Sequence, residues 1–156
     1  MGPKVYLETT IPSYLTAYPS RDLVKAAHQQ ITREWWQDRA RFDLYISQVV
    51  LREASGGDAE AARLRLEVLR GIPVLALSPA ASRLAQQLVL RGALPETAVV
   101  DSLHIAIAVV NGMDYLLTWN CTHIASAAIR HRIEAICRAS GYETPVLCTP
   151  EELMEV

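Results

Sequence analysis

The sequence predicts an α/β fold of three layers, with helices on both faces of a mainly parallel sheet of about five strands, in one domain over residues 1–156. Three observations carry this. Short β-prone apolar runs alternate with longer segments of helical periodicity, the pattern of parallel strands joined by helical crossovers. One helical segment, Val99 to Val110 (VVDSLHIAIAVV), is apolar almost all round, as a buried helix is. Polar residues stand where strands end, and open α/β sheets gather ligands there.

The elements follow in order. Lys4 to Leu7 is short, apolar and β-prone, a buried strand that stops at Glu8-Thr9-Thr10. A helix begins at Ile11, with Thr10 as N-cap and Pro12 in its first turn. Asp22 to Arg41 reads as a long amphipathic helix through Leu23, Ala26, Ile31 and Trp35. Phe42 to Ser47 is the second strand, and Gln48 to Ala54 turns helical until Ser55-Gly56-Gly57-Asp58 breaks it. Asp58 caps a further helix through about Leu69. Pro73 to Leu77 is the third strand, and Pro79 to Arg91 is a helix ended by Gly92. Pro95 opens the apolar helix, which leads through Gly112 to the fourth strand, Tyr115 to Thr118. Thr122 to Ala139 is helical, Pro145 to Cys148 is an edge strand, and Pro150 starts a short terminal helix.

Composition narrows the function. Hydrophobic residues make up 51% and charged residues 21%, enough for a full core. A formal net charge of −2 supplies no overall basic field for tight non-specific binding to nucleic acid, though it leaves room for a local basic patch. Cys121, Cys137 and Cys148 have neither disulfide nor zinc spacing, which points to free thiols in a reducing cytoplasm. Lys4 enters the first strand with no long apolar region before it, so no signal peptide is expected. No uncharged apolar stretch reaches membrane-spanning length.

The polar groups at the strand ends form a pattern. Glu8 ends strand one, Glu53 lies about one helical turn past strand two, Asn120 follows strand four, and Asp101 sits in the first turn of the apolar helix. Carboxylates brought together repel unless a cation neutralises them. Mg²⁺ or Mn²⁺ suits such oxygen ligands and takes substrate phosphates as further ligands. Each residue also has a plainer reading: Asp101 complements the helix dipole, Glu53 is an acid near a helix end, and Asn120 caps a turn. His104, three residues after Asp101 on the same face, reads more readily as a hydrogen-bonded buried histidine than as a ligand. His123 reads as a residue supporting the site or the fold, and Trp35 and Trp36 as packing. Other α/β chemistries lack their motifs: there is no Gly-x-Gly-x-x-Gly after strand one, no phosphate loop and no Gly-x-Ser-x-Gly elbow.

Three stretches resemble a known family. VYLETTIPSYL, Ser47 to Glu53 (SQVVLRE) and DSLHIAIAVVNGMDYLLTWNCTHI resemble the motifs of the PIN domain, most of all those of VapC-type toxins of toxin–antitoxin pairs, in order over positions 5 to 124. The resemblance implies a Rossmann-like α/β/α fold and a metal-dependent endoribonuclease, with Glu8, Glu53 and Asp101 matching the three principal acids. It departs at two positions: Glu8 stands where the family usually has Asp, and Asn120 stands at the fourth acidic position. In this reading Thr9, Thr10 and Thr118 supply hydroxyl contacts near the site, and Arg52 is placed to meet a substrate phosphate. The implied partners are RNA, a small antitoxin and a second copy of the chain. Ile11, Tyr14, Leu15 and Tyr18 suit either such a surface or the core. The altered positions leave a second function open, a PIN-fold module that binds RNA or protein without cleaving.

Overall fold

The chain is described here from a computed structural model covering residues 2–154; Met1, Glu155 and Val156, the ends of the expected domain, lie outside the described residues. β1 (Lys4–Leu7) is the middle strand of a five-stranded sheet. On one side of it lie β2 (Asp43–Ser47) and β3 (Val74–Leu75); on the other lie β4 (Tyr115–Leu117) and β5 (Val146–Cys148). All four pairings are parallel, with Tyr6 opposite Tyr45 on β2 and Leu7 opposite Leu117 on β4. Burial explains the composition of β1: Val5, Tyr6 and Leu7 are each 0% exposed, and a strand covered on both faces needs a continuous apolar run.

The order β3-β2-β1-β4-β5 makes the chain reverse direction across the sheet between β1 and β4. Right-handed crossovers then send the helices between β1 and β3 and those between β3 and β5 to opposite faces. The packing agrees. α1 (Thr10–Thr16) contacts α2 (Leu23–Gln37) and α4 (Ala59–Leu69), while α5 (Pro79–Leu90) contacts α6 (Val99–Val110) and α7 (Arg130–Ala139). α3 (Gln48–Ala54) touches both α4 and α6, and α8 (Pro150–Leu153) packs on α2. α6 is buried over its middle, with Ile105, Ala106, Ile107 and Ala108 all 0% exposed, whereas Val99 and Val100 at its start are exposed. Gly112, at φ 66, takes the left-handed conformation that turns α6 toward β4.

Several expected boundaries move, each for a local reason. The helix expected over Asp22 to Arg41 stops at Gln37, where the Asp38 N–H bonds back to Trp35 and Trp36 and the chain tightens into a 3₁₀ turn over Arg39–Arg41. The third strand keeps only two of its five expected residues. The Leu77 N–H goes to Gln48 Oε1 at 3.1 Å instead of to a strand neighbour. The helix expected from Thr122 begins only at Arg130. Asn120 closes a turn there: its carbonyl accepts from the Ile124 and Ala125 N–H groups and its Oδ1 from those of Thr122 and His123. Asp58 caps α4 as expected, accepting from the Ala61 N–H at 3.0 Å. Trp35 stacks on Phe42 in the core, and the Arg39 guanidinium lies 4.4 Å over the Trp36 ring. The cysteines are free, Cys121 exposed and the other two buried.

Candidate functional site

The reversal between β1 and β4 is a topological switch point, and it is in the crevice at the carboxyl ends of the strands at such a point that doubly wound sheets bind ligands. Glu8 is the first residue past β1. Its N–H bonds the Leu117 carbonyl at 3.1 Å, which ties the ends of β1 and β4 together. The side chain is only 4% exposed, an expensive position for a carboxylate unless donors meet it. Three do, all at Oε1: the Thr10 N–H (3.1 Å), the Thr10 hydroxyl (2.5 Å) and the Thr118 hydroxyl (2.7 Å). Thr10 and Thr118 are held in turn, accepting from the Trp119 and Asn120 N–H groups at 2.9 Å each.

Glu53 reaches the same place from the end of α3. Its Oε1 accepts from the Thr9 hydroxyl at 2.5 Å and from His104 Nε2 at 2.6 Å. Burial pushes this carboxyl up, but the hydrogen bonds from His104 and Thr9, with the charge that the ring carries when protonated, outweigh it and hold Glu53 below the ordinary Glu value. Thr9 is therefore at the N-terminus of α1 without capping it, because its hydroxyl is spent on Glu53. One ligand atom each from Glu8, Glu53 and His104 falls within 4.8 Å of the others.

Asp101 is not in that group. It stands in the first turn of α6, and its Oδ2 meets His123 Nδ1 at 2.9 Å. Asn120 spends its Oδ1 on the Thr122 and His123 N–H groups, at 3.2 and 3.0 Å, and so orders the loop that carries His123. Arg52 is exposed on α3 beside Glu53. The three carboxylates share one design. Each takes its hydrogen bonds through a single oxygen and leaves the other without a protein donor among the described residues. Anchored hard oxygen donors of this kind suit a divalent cation such as Mg²⁺ or Mn²⁺.

Sequence reasoning passed over Tyr6. Its hydroxyl lies 2.6 Å from His104 Nδ1 and 2.7 Å from Ser47 Oγ, all fully buried. The signal was there: a tyrosine in an apolar strand needs a partner for its hydroxyl, and Tyr6, two residues before Glu8, faces the same side of the strand. A groove of about 570 Å³ between α5 and α6, lined by Ala85, Val89, Val99 and Leu103, contains none of the acids.

No family model and no curated protein matches the sequence. Solved structures do. The chain is similar to VapC20 of Mycobacterium tuberculosis, a sarcin-ricin loop cleaving toxin, at 15% identity and TM-score 0.60 over 88% of this chain and 95% of that one. It is also similar to a chain of VapBC2 of Rickettsia felis, solved bound to a DNA fragment from their promoter, at 18% identity and TM-score 0.54 over 75% of this chain and 88% of that one. At these identities the likeness is one of fold. The chain has the three-layer α/β/α PIN fold, which it shares with these Vap structures.

Proposed function

We propose that this protein is a Mg²⁺- or Mn²⁺-dependent endoribonuclease, the toxin of a toxin–antitoxin pair. One observation carries the reading: Glu8 and Glu53, from separate elements, converge near the carboxyl ends of β1 and β4, each pinned through one oxygen and with no donor to the other among the described residues. Asp101 opens the helix that supplies His104 and completes the acid set. The motif resemblance and the fold shared with a toxin that cleaves the sarcin-ricin loop support RNA as substrate.

The residues divide the work. Thr10 and Thr118 fix Glu8, Thr9 and His104 fix Glu53, and His123 fixes Asp101. A divalent ion held by these carboxylates would supply positive charge to stabilise the phosphate during hydrolysis. Arg52, exposed next to Glu53, is placed to meet a neighbouring backbone phosphate. Asn120 acts as a neutral ligand or as an organiser of its loop. The reading brings with it a cytoplasmic location, a small antitoxin that covers the crevice, and a homodimer. No described helix is long and apolar enough to cross a membrane.

One observation favours a second reading. Asn120 is already engaged in its turn and Asp101 stands apart from the Glu8–Glu53–His104 group, which suits a PIN-fold module that binds without cleaving. Cleavage of a mixed RNA pool separates the two, run with Mg²⁺, with Mn²⁺ and with EDTA beside an Asp101→Asn control. The enzyme reading expects cutting that EDTA abolishes and that falls about 100-fold in the variant. Equal cutting by both proteins, or none from folded protein across RNA pools that include ribosomal RNA, refutes it.

A further inference from the structure

A buried hydrogen-bonded chain runs through the fold beneath the acids. The Val50 N–H lies 3.2 Å from Ser47 Oγ, Ser47 Oγ 2.7 Å from the Tyr6 hydroxyl, Tyr6 2.6 Å from His104 Nδ1, and His104 Nε2 2.6 Å from Glu53 Oε1. Ser47, Tyr6 and His104 are each 0% exposed, so every proton in the chain must find an acceptor inside the protein.

Donor accounting gives the chain a direction. An ionised carboxylate only accepts, so His104 Nε2 carries the hydrogen. In the neutral ring Nδ1 then accepts, the Tyr6 hydroxyl donates to it, Ser47 donates to Tyr6, and Ser47 accepts from the Val50 N–H. All four groups are satisfied. With both ring nitrogens protonated, Tyr6 has to donate to Ser47, and the Ser47 proton is left with no acceptor among the described residues. With hydrogen on Nδ1 alone, a ring lone pair faces the Glu53 carboxylate at 2.6 Å.

The placement of the members matters as much as their direction. Tyr6 is two residues before Glu8 on β1, and His104 is one helical turn after Asp101 on α6. Ser47 is the N-cap of α3, the helix that carries Glu53. Two side chains thus join the elements that bear all three acids, and grip α3 both at its cap and at its acid.

We infer that His104 is a positioning residue, fixed by Tyr6 and Ser47, that sets Glu53 in register with Glu8 and Asp101. This rests on the proposed function where it concerns metal affinity, and on hydrogen bonding alone where it concerns Glu53. The ring acts through Glu53 and does not itself ligate the ion.

The test has a metal-free arm and a metal arm. In metal-free protein, long-range ¹⁵N spectra of the histidine rings show His104 as the Nε2–H tautomer with an exchange-protected ring proton, and Tyr6→Phe mixes the tautomers. A ring held as Nδ1–H overturns the inference whatever the metal does. In the metal arm, Mn²⁺ binding to RNA-free protein is measured by calorimetry and paramagnetic resonance at 25 °C. His104→Leu, if natively folded by circular dichroism, binds Mn²⁺ about 10-fold or more weakly, and His104→Gln, which keeps a donor near the Nε2 position, stays within about 3-fold of wild type. If the leucine variant does not fold, Tyr6→Phe carries the comparison with an expected loss of about 3-fold or more. A folded His104→Leu that binds Mn²⁺ like wild type overturns the inference, as does nitrogen coupling between His104 and bound Mn²⁺. Wild type that takes up no Mn²⁺ while its ring shows the Nε2–H tautomer sinks the nuclease reading and leaves the positioning of Glu53 upheld.

Discussion

Replacing Thr118 by valine removes one hydroxyl at nearly constant shape, from a residue that is 0% exposed. That hydroxyl donates to Glu8 Oε1 at 2.7 Å and accepts from the Asn120 N–H at 2.9 Å. A hydrogen bond to a charged group contributes about 1.5–3 kcal/mol and one to a backbone amide about 1 kcal/mol. The added methyl returns about 0.8 kcal/mol through burial. The net loss is about 2–3 kcal/mol, which lowers the Tm of a domain this size by about 4–12 °C. Thr118→Ser separates hydroxyl from methyl: it keeps both hydrogen bonds and loses about 1 kcal/mol of packing. Urea unfolding in EDTA, followed by tryptophan fluorescence at constant m, reads all three proteins. Thr118→Val within about 0.5 kcal/mol of wild type, or less destabilising than Thr118→Ser, would refute the claim that donors at Oε1 are what makes a buried Glu8 tolerable.

Three further outcomes follow from the same geometry. Glu53 has a lower pKa folded than unfolded, so the stability it contributes is complete above the ordinary value of 4.5 and is lost as pH falls through the folded value. Metal-free Glu53→Gln therefore loses stability less steeply than wild type below pH 4.5, with the effect blunted because the side chain is 38% exposed; parallel acid limbs in urea titrations would contradict this. Mn²⁺ at a hundred times its Kd stabilises the wild type by about 2.7 kcal/mol, and Glu8→Gln shows a smaller Tm rise at the same Mn²⁺ concentration in a thermal scan. Trp119→Phe removes the indole N–H that donates to Thr32 Oγ1 at 2.7 Å and loosens the 3.9 Å stack on His28; about 1–2 kcal/mol is lost in the same urea assay, and an unchanged midpoint would count against this contact.

Much of this fold is legible in its residues because burial dictates them. Val5, Tyr6 and Leu7 read as a buried strand since both faces are covered, and Val99 to Val110 reads as a buried helix because its middle, from His104 to Val109, is buried. Boundaries fail where tertiary hydrogen bonds compete with propensity. Gln48 takes the Leu77 N–H out of β3, and Asn120 holds residues 120–125 in a turn that composition alone would extend as helix. The site divides in the same way. An acid directly after an apolar strand marks Glu8, and helical spacing brings Asp101 and His104 onto one face. The pairing of His104 with Glu53, 51 residues apart, has no local signature, and neither does that of Asp101 with His123, 22 residues away. Thr10 reads as an N-cap by type, yet the helix starts one residue earlier, with Thr9 at the cap position, and the Thr10 hydroxyl donates to the buried Glu8 carboxylate, which needs donors inside the protein.

The bond between Glu8 and Thr118 closes a span of 110 residues. On a ribosome adding about 5–20 residues each second, Glu8 is made about 5–20 s before the hydroxyl that steadies it. Glu53, Asp101 and His104 appear within that interval, His123 follows it, and β4 can dock beside β1 only at its end. A nascent chain therefore carries the acids without their arrangement. If this is a nuclease working beside RNA-rich machinery, its birth is harmless by construction, since the strand that completes the crevice is among the last pieces translated. Competence then arrives in one step with the closure of the sheet, and a chain truncated before β4 retains Glu8, Glu53 and Asp101 but no crevice to hold them.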